Sequence, residues 1–220
     1  MTAPTTSPFF HKPCRQLATG LVLLASIGLT ACGTTPTETG QTAQGPERPA
    51  TGPGSGFWQA LAPHCGQAFR GELVASRPGD DGFRERDVVV ELRHCEDSRM
   101  LMPLHVGDDR SRTWVLERHP WGVTLKHQHR DQDGSVQDTH YYGGLARPPA
   151  DGNQLKFPVD DETLAMLPGS VGGVWTMEVE DGRLYYQVRR KGSDEVFRLA
   201  FDLSEAIDNP PEPWGWEHIR

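Results

Sequence analysis

Three histidines, His127, His129 and His140, and the carboxylate Asp138 flank an Asp133-Gly134 dipeptide. Asp-Gly between two β-rich runs marks a two-residue hairpin turn, and such a turn fixes which side chains face each other. On that reading Gln132 pairs with Ser135, His129 with Asp138, His127 with His140 and Leu125 with Tyr142. Histidines at i and i+2 stand roughly 7 Å apart on one face of a strand, and a third lies about 5 Å across the ladder. Imidazoles so placed, beside a carboxylate, suit zinc or iron held by His127, His129 and His140, and haem ligated by one of them fits the same donors. A small organic ligand is a second use for the patch. The plainest use is a polar cluster in which His129 is hydrogen-bonded to Asp138 and His127 is stacked on Trp114.

The preceding loop, His119-Pro120-Trp121-Gly122, sets Arg118 against Val123, Leu116 against Leu125, Trp114 against His127 and Arg112 against His129. The histidine face then also carries Leu116, Val123, Leu125, Trp114 and Tyr142. The opposite face carries Thr124, Lys126, Gln128, Arg130 and Thr139. An apolar face turns inward, so the histidines belong to the inner wall of the sheet. The candidate ligand-binding set is Arg112, Trp114, His127, His129, Asp138, His140 and Tyr142. The neighbouring Asp108-Asp109-Arg110-Ser111-Arg112 is a charged hairpin loop with internal ion pairs, or a lip where Arg110 and Arg112 meet an anionic ligand. No glycine-rich phosphate loop with its lysine, no HExxH and no GxSxG occurs. Ser111 and Ser135 do not sit on a strained strand-to-helix turn, so a hydrolase triad has no support, and no catalytic residue is assigned.

Positioning those side chains requires strands. Segments of β-rich composition, separated by Gly, Pro and Asp clusters, fall near 67–75, 87–95, 99–106, 112–118, 122–130, 136–142, 153–158, 173–179, 184–190 and 196–203. A turn at Asp181-Gly182 opposes Val179 to Leu184, Met177 to Tyr186 and Trp175 to Val188. A turn at Gly192-Ser193 opposes Val188 to Phe197, Tyr186 to Leu199 and Leu184 to Phe201. The two turns are independent, yet one face stays apolar through three strands. Val88, Val90 and Leu92, and Met100, Met102, Leu104 and Val106, continue the pattern. The fold class is therefore all-β, an antiparallel up-and-down meander barrel of 8–10 strands, favoured over two packed sheets because so long a sheet tends to curl. In architecture it resembles the calycin group of lipocalin-type and fatty-acid-binding barrels, without a motif of theirs to carry over.

Two short helices are expected. Phe57, Trp58 and Leu61 share a helical turn ended by Pro63, forming a plug or lid. A second helix spans 162–167, capped by Asp160 or Asp161 and stopped by Pro168-Gly169. The closing segment Asn209-Pro210-Pro211-Glu212-Pro213-Trp214-Gly215-Trp216 folds back on the barrel or meets a partner, with folding back preferred.

Ahead of the barrel lies an address. Lys12 and Arg15 precede an apolar and small-residue run from Leu17 to Ala31, the layout of a secretory signal and too short for a membrane span. It ends in Leu29-Thr30-Ala31-Cys32, which resembles the lipobox of bacterial lipoproteins. That resemblance implies cleavage before Cys32 and lipidation of Cys32, hence attachment to a membrane through the N-terminal lipid. Gly33, where Asp is absent, resembles the pattern of lipoproteins passed to the outer membrane, on its periplasmic face, in diderm bacteria. Residues 32–56, poor in large apolar side chains, read as a disordered stalk, with the barrel at 57–205 and a tail at 206–220.

Losing residues 1–31 would leave 189 residues and move the formal charge from −8 to −10. A surface of that sign repels phosphate backbones and anionic headgroups, which excludes nucleic acid as an expected partner. Cys65 and Cys95 are then the two thiols left to pair, as a disulfide in an oxidising compartment. The segments His105 to Trp114 and Leu125 to Gly134 resemble a family of secreted bacterial proteins to which no activity is attached. The function expected is a non-catalytic lipid-anchored envelope protein that receives a small ligand at the barrel mouth. A metal-dependent enzyme using His127, His129 and His140, and a ligand-free scaffold meeting envelope partners through its acidic surface, are the alternatives.

Overall fold

Asp181 and Gly182 both adopt left-handed backbone angles, with φ of 49° and 75°. That is what a two-residue hairpin turn of the primed type requires to match the twist of its flanking strands. In the computed structural model, which describes residues 51–150 and 152–219, this turn joins β9 (Gly173–Glu180) to β10 (Arg183–Arg190). Val179 pairs with Leu184, Met177 with Tyr186 and Trp175 with Val188. The next strand, β11 (Val196–Ile207), pairs Val188 with Phe197, Tyr186 with Leu199 and Leu184 with Phe201. Its connection is longer than the expected two-residue turn, yet the register is the expected one. The apolar face of these strands lies in the core, with Val188 at its edge.

The remaining strands are β1 (Ala68–Ala75), β2 (Val88–Glu91), β3 (His94–Cys95), β4 (Arg99–Val106), β5 (Asp109–His119), β6 (Gly122–His129), β7 (Tyr142–Ala146) and β8 (Gln154–Pro158). The ladders are all antiparallel and follow chain order, except that β2 pairs with β4 and no ladder joins β7 to β8, and β11 closes back on β1, with Leu73 opposite Leu199 and Gly71 opposite Phe201. A Cβ at Gly71 would lie 2.5 Å from the Phe201 ring, so the ring occupies the space that the glycine leaves. β3 is off the main path and continues the line of β2 along β4. The result is a nearly closed ten-strand barrel. The last seam, between β7 and β8, is one bridge from Gly144 to Val159, with a hydrogen bond from the Asp160 N–H to the Gly143 carbonyl at 3.2 Å.

One expected strand is absent. Residues 136–142 do not form a ladder beyond a single bridge between Arg130 and Val136, and β7 begins at Tyr142. Tyr141 has φ of 59°, a left-handed conformation that interrupts a strand, and its ring lies outside the barrel against Leu101, Val115, Trp216 and Ile219. The turn before it is not the expected two-residue one either: the Asp131 N–H donates to the Ser135 carbonyl at 2.9 Å and Arg130 pairs with Val136, so Gln132 does not pair with Ser135. Beyond Tyr141 the register stands two residues from the expected one. His127 pairs with Tyr142, not His140, and Leu125 pairs with Gly144, not Tyr142.

The ends and the outside are covered by short elements. α1 (Ser55–Leu61) inserts Phe57, Trp58 and Leu61 into the core as a plug, its Trp58 indole N–H donating to the Glu96 carbonyl at 3.0 Å. Arg118 donates to the carbonyls of Pro53 at 2.8 Å and Thr51 at 3.1 Å, and the Gly54 N–H donates to the Ala150 carbonyl, which holds these residues against the barrel. α2 (Asp81–Arg84) lies between β1 and β2. α3 (Asp161–Met166) starts at Asp160, whose carboxylate accepts from the Thr163 N–H at 2.8 Å. Cys65 and Cys95 form a disulfide.

The tail folds back, burying Trp216 and Ile219 on Leu101 and Val115 of the outer face. Arg93 lies over the Trp216 ring and pairs with Glu212 at 2.8 Å. The described residues belong to one compact unit by their own contacts. The Leu29-Thr30-Ala31-Cys32 motif and the stalk up to residue 50 lie outside the described residues.

Candidate functional site

At the end of the barrel away from α1, the inner wall does not fill with side chains. A cavity of about 370 Å³ opens there, a size within the usual range for small-molecule sites. β5 contributes Arg112 and Trp114, β6 contributes His127 and His129, and β7 contributes Tyr142. Trp175, Tyr186, Val188 and Phe197 of β9, β10 and β11 form the other wall. Arg77, Asp80 and Phe83 come from the connection between β1 and β2, where Phe83 meets the edge of Phe197 at a centroid distance of 4.9 Å.

Two aromatic stacks define the interior. The Trp114 and Tyr186 rings lie 4.3 Å apart with planes at 21°, and the His127 and Tyr142 rings lie 4.8 Å apart with planes at 8°. The expected stack of His127 on Trp114 is thus replaced by one on Tyr142, because Tyr142 is now its cross-strand partner. The Tyr142 carbonyl lies 3.1 Å from His127 Nδ1. A carbonyl only accepts, so Nδ1 carries the proton and Nε2 is the bare acceptor. The Tyr186 hydroxyl, 2.8 Å away, donates to it. His129 Nε2 lies 3.2 Å from the Tyr142 hydroxyl.

Burial keeps these imidazoles uncharged. Desolvation carries His127 down to about 3 and His129 down to about 4, with the Arg112 guanidinium adding to the effect on His129. Burial pushes the Tyr142 phenol up and the Tyr186 phenol well above its ordinary value. The deep wall therefore offers neutral donors and acceptors between aromatic faces. The charged groups, Arg77, Asp80 and Arg112, stand among the lining residues contributed by the β1–β2 connection and by β5.

Five of the seven expected ligand residues, Arg112, Trp114, His127, His129 and Tyr142, line this one cavity. Asp138 does not: it is exposed on the 131–141 loop, since the register slip carries it away from His129. His140 does not either, and its Nδ1 donates to the His129 carbonyl at 2.9 Å. Arg110 faces outward and donates to the Glu212 carbonyl at 2.9 Å. The three-histidine metal arrangement is not formed: both His127 nitrogens are engaged, His140 is turned to the backbone, and among the described residues no three His, Cys, Asp or Glu side chains group as a metal site.

The turns at Asp181-Gly182 and Gly192-Ser193 place Trp175, Tyr186, Val188 and Phe197 on the apolar face but not in the site. Barrel closure is what brings them opposite β6. Arg77, Asp80 and Phe83 were missed, since the Arg77-Pro78-Gly79-Asp80 stretch carries a turn signal and no periodicity. A larger, shallower groove of about 820 Å³ lies outside the barrel between His105, the 107–110 turn and the tail, and it is open and walled by Asp87, Asp108 and Asp109. It does not share the aromatic enclosure of the barrel mouth.

No protein-family model, no curated protein and no solved structure matches this chain.

Proposed function

We propose that this protein is a lipid-anchored envelope protein that binds a small, flat, largely apolar ligand in the barrel mouth and does not transform it. The anchor rests on the lipobox-like Leu29-Thr30-Ala31-Cys32 motif. On that basis the protein sits in the cell envelope, on the periplasmic face of the outer membrane in a diderm host. The observation that carries the binding reading is the paired stacks, Trp114 on Tyr186 and His127 on Tyr142, around an open cavity. Such walls offer large apolar faces, while their few polar atoms give orientation. The commitment of both His127 nitrogens to fixed partners supports binding over catalysis, since a general base needs a free nitrogen within reach of its proton.

The test uses the compact unit and the neutral fluorophore N-phenyl-1-naphthylamine. Its emission is expected to rise to a saturating 1:1 end point, with energy transfer from protein tryptophan. Val188→Trp, which fills the mouth from β10, is expected to abolish the rise. No saturable enhancement in the wild-type protein removes the proposal.

A further inference from the structure

Resting on that proposed site, we infer that its ligand is an organic monoanion, a flat aromatic or conjugated body carrying one carboxylate or sulfonate that Arg112 takes. Three ionised side chains line the cavity, Arg77, Asp80 and Arg112, and the histidines there are neutral. Arg77 and Asp80 satisfy each other. The Asp80 carboxylate accepts from the Arg77 N–H at 2.7 Å, from Nε at 3.3 Å and from one terminal nitrogen at 3.4 Å.

Arg112 is placed differently. Its partner, Asp109, accepts from one terminal nitrogen at 2.5 Å, and Asp109 lines the groove outside the barrel, not the cavity. A guanidinium has five N–H donors in a fixed fork, so a single carboxylate bond at one nitrogen leaves donors for a second acceptor. The plane lies 5.8 Å from the Phe83 ring, which holds it at the mouth. The Arg112 charge is thus answered by a carboxylate outside the cavity, while its remaining donors belong to a side chain that lines the cavity.

The field of that charge reaches the deep wall. Arg112 favours negative charge at both Tyr142 and Tyr186, Arg77 does so at Tyr186, and no carboxylate is among the groups opposing them at either phenol. At His129, Arg112 works against a second positive charge and Asp109 opposes it more weakly. An anion at Arg112 gains a charge-assisted fork while its ring system lies between the stacks, and the same guanidinium opposes a cation placed there.

The experiment pairs two probes with one ring system, N-phenyl-1-naphthylamine and its 8-sulfonate, on the same compact unit. The sulfonate is expected to bind at least tenfold more tightly than the neutral probe. Arg112→Gln is expected to remove that difference by weakening the sulfonate tenfold or more and the neutral probe less than twofold. Arg112→Lys, which keeps charge but loses the fork, is expected to fall between. Equal affinities for the two probes in the wild-type protein, a comparison that needs no variant, overturn the inference and leave the cavity standing. Failure of both probes to bind removes the site itself. An Arg112→Gln protein that folds, by its circular dichroism, and keeps the preference assigns the anion elsewhere and also overturns the inference.

Discussion

The Tyr186 hydroxyl on β10 reaches across the barrel to 2.8 Å from Nε2 of His127 on β6. These strands are not neighbours in the sheet, so the bond ties two opposite walls through the cavity floor. Removing the donor leaves a buried nitrogen unpaired, which costs about 1–3 kcal/mol. Tyr186→Phe is expected to lower the urea unfolding free energy by that amount with the Trp114 stack kept. Adding His127→Gln to Tyr186→Phe is expected to cost less than the sum of the two single changes. Strict additivity in that cycle would mean the bond contributes nothing.

Acid should weaken the fold well before its carboxylates titrate. Burial holds His127 at about 3 and His105 and His129 at about 4, whereas an unfolded histidine titrates near 6.5. Above pH 6.5 both states are neutral and the histidines contribute no dependence. Below it the unfolded chain takes up protons that the fold refuses. Stability therefore falls as pH drops from 6.5 to about 4 for His105 and His129 and to about 3 for His127, by up to about 1.4 kcal/mol per pH unit for each. Glu91, whose carboxyl is pushed up by burial, acts in the opposite direction. Urea midpoints at pH 7.5 and 5.5 should separate clearly, and the gap should narrow in His129→Gln. Coincident midpoints would contradict the burial of these rings.

The registers that were legible in the sequence share a cause. Asp181-Gly182 and the Pro120-Trp121 reversal join long strands with unbroken alternation, so a turn residue and a parity suffice to set them. Asp133-Gly134 is the same residue pair, but only Gly134 is left-handed there, the loop is a three-residue one closed by Asp131 and Ser135, and the strand after it is interrupted by the left-handed Tyr141, which no periodicity announces. That Tyr141 turns outward follows from the tail, because Trp216 and Ile219 build the cluster that its ring joins from about 75 residues away in the chain. Parity survived a slip of two, which is why His127, His129 and Tyr142 still share a wall while His140 and Asp138 left it. Contacts made by chain segments without repeating patterns, such as Arg77 to Phe83, have no signature in one sequence.

The disulfide pins the segment after α1 to β3, with Cys65 and Cys95 separated by 30 positions in the chain. Closing a loop of that length restricts the unfolded chain and contributes roughly 3–4 kcal/mol in the entropy model. A Cys65→Ser/Cys95→Ser protein is expected to lose about that much in urea unfolding. Under non-reducing denaturing conditions, neither cysteine of the native protein should react with a thiol reagent. Stoichiometric labelling at both would disprove the bridge.

The seam between β7 and β8 is where the barrel should open first. The paired strands elsewhere exchange runs of backbone bonds, but here closure rests on the Gly144 to Val159 bridge and on one hydroxyl. Thr163 Oγ1, fully buried, accepts from the Gly143 N–H at 2.6 Å and donates to the Gly143 carbonyl at 3.0 Å. At Gly144 a Cβ would lie 2.1 Å from the Pro158 carbonyl oxygen, so only glycine lets the two strands approach. Thr163→Val keeps the shape and strands the buried Gly143 N–H, for about 1–3 kcal/mol, while the Gly143 carbonyl keeps its bond from Asp160. Gly144→Ala must push the strands apart. In both variants amide exchange should accelerate at residues 143–146 and at Val159 and Asp160, while the β1–β11 closure around Leu73 and Leu199 keeps its protection, since a local opening need not involve the opposite wall. Uniform loss of protection around the whole barrel would mean that the seam is no weaker than the rest.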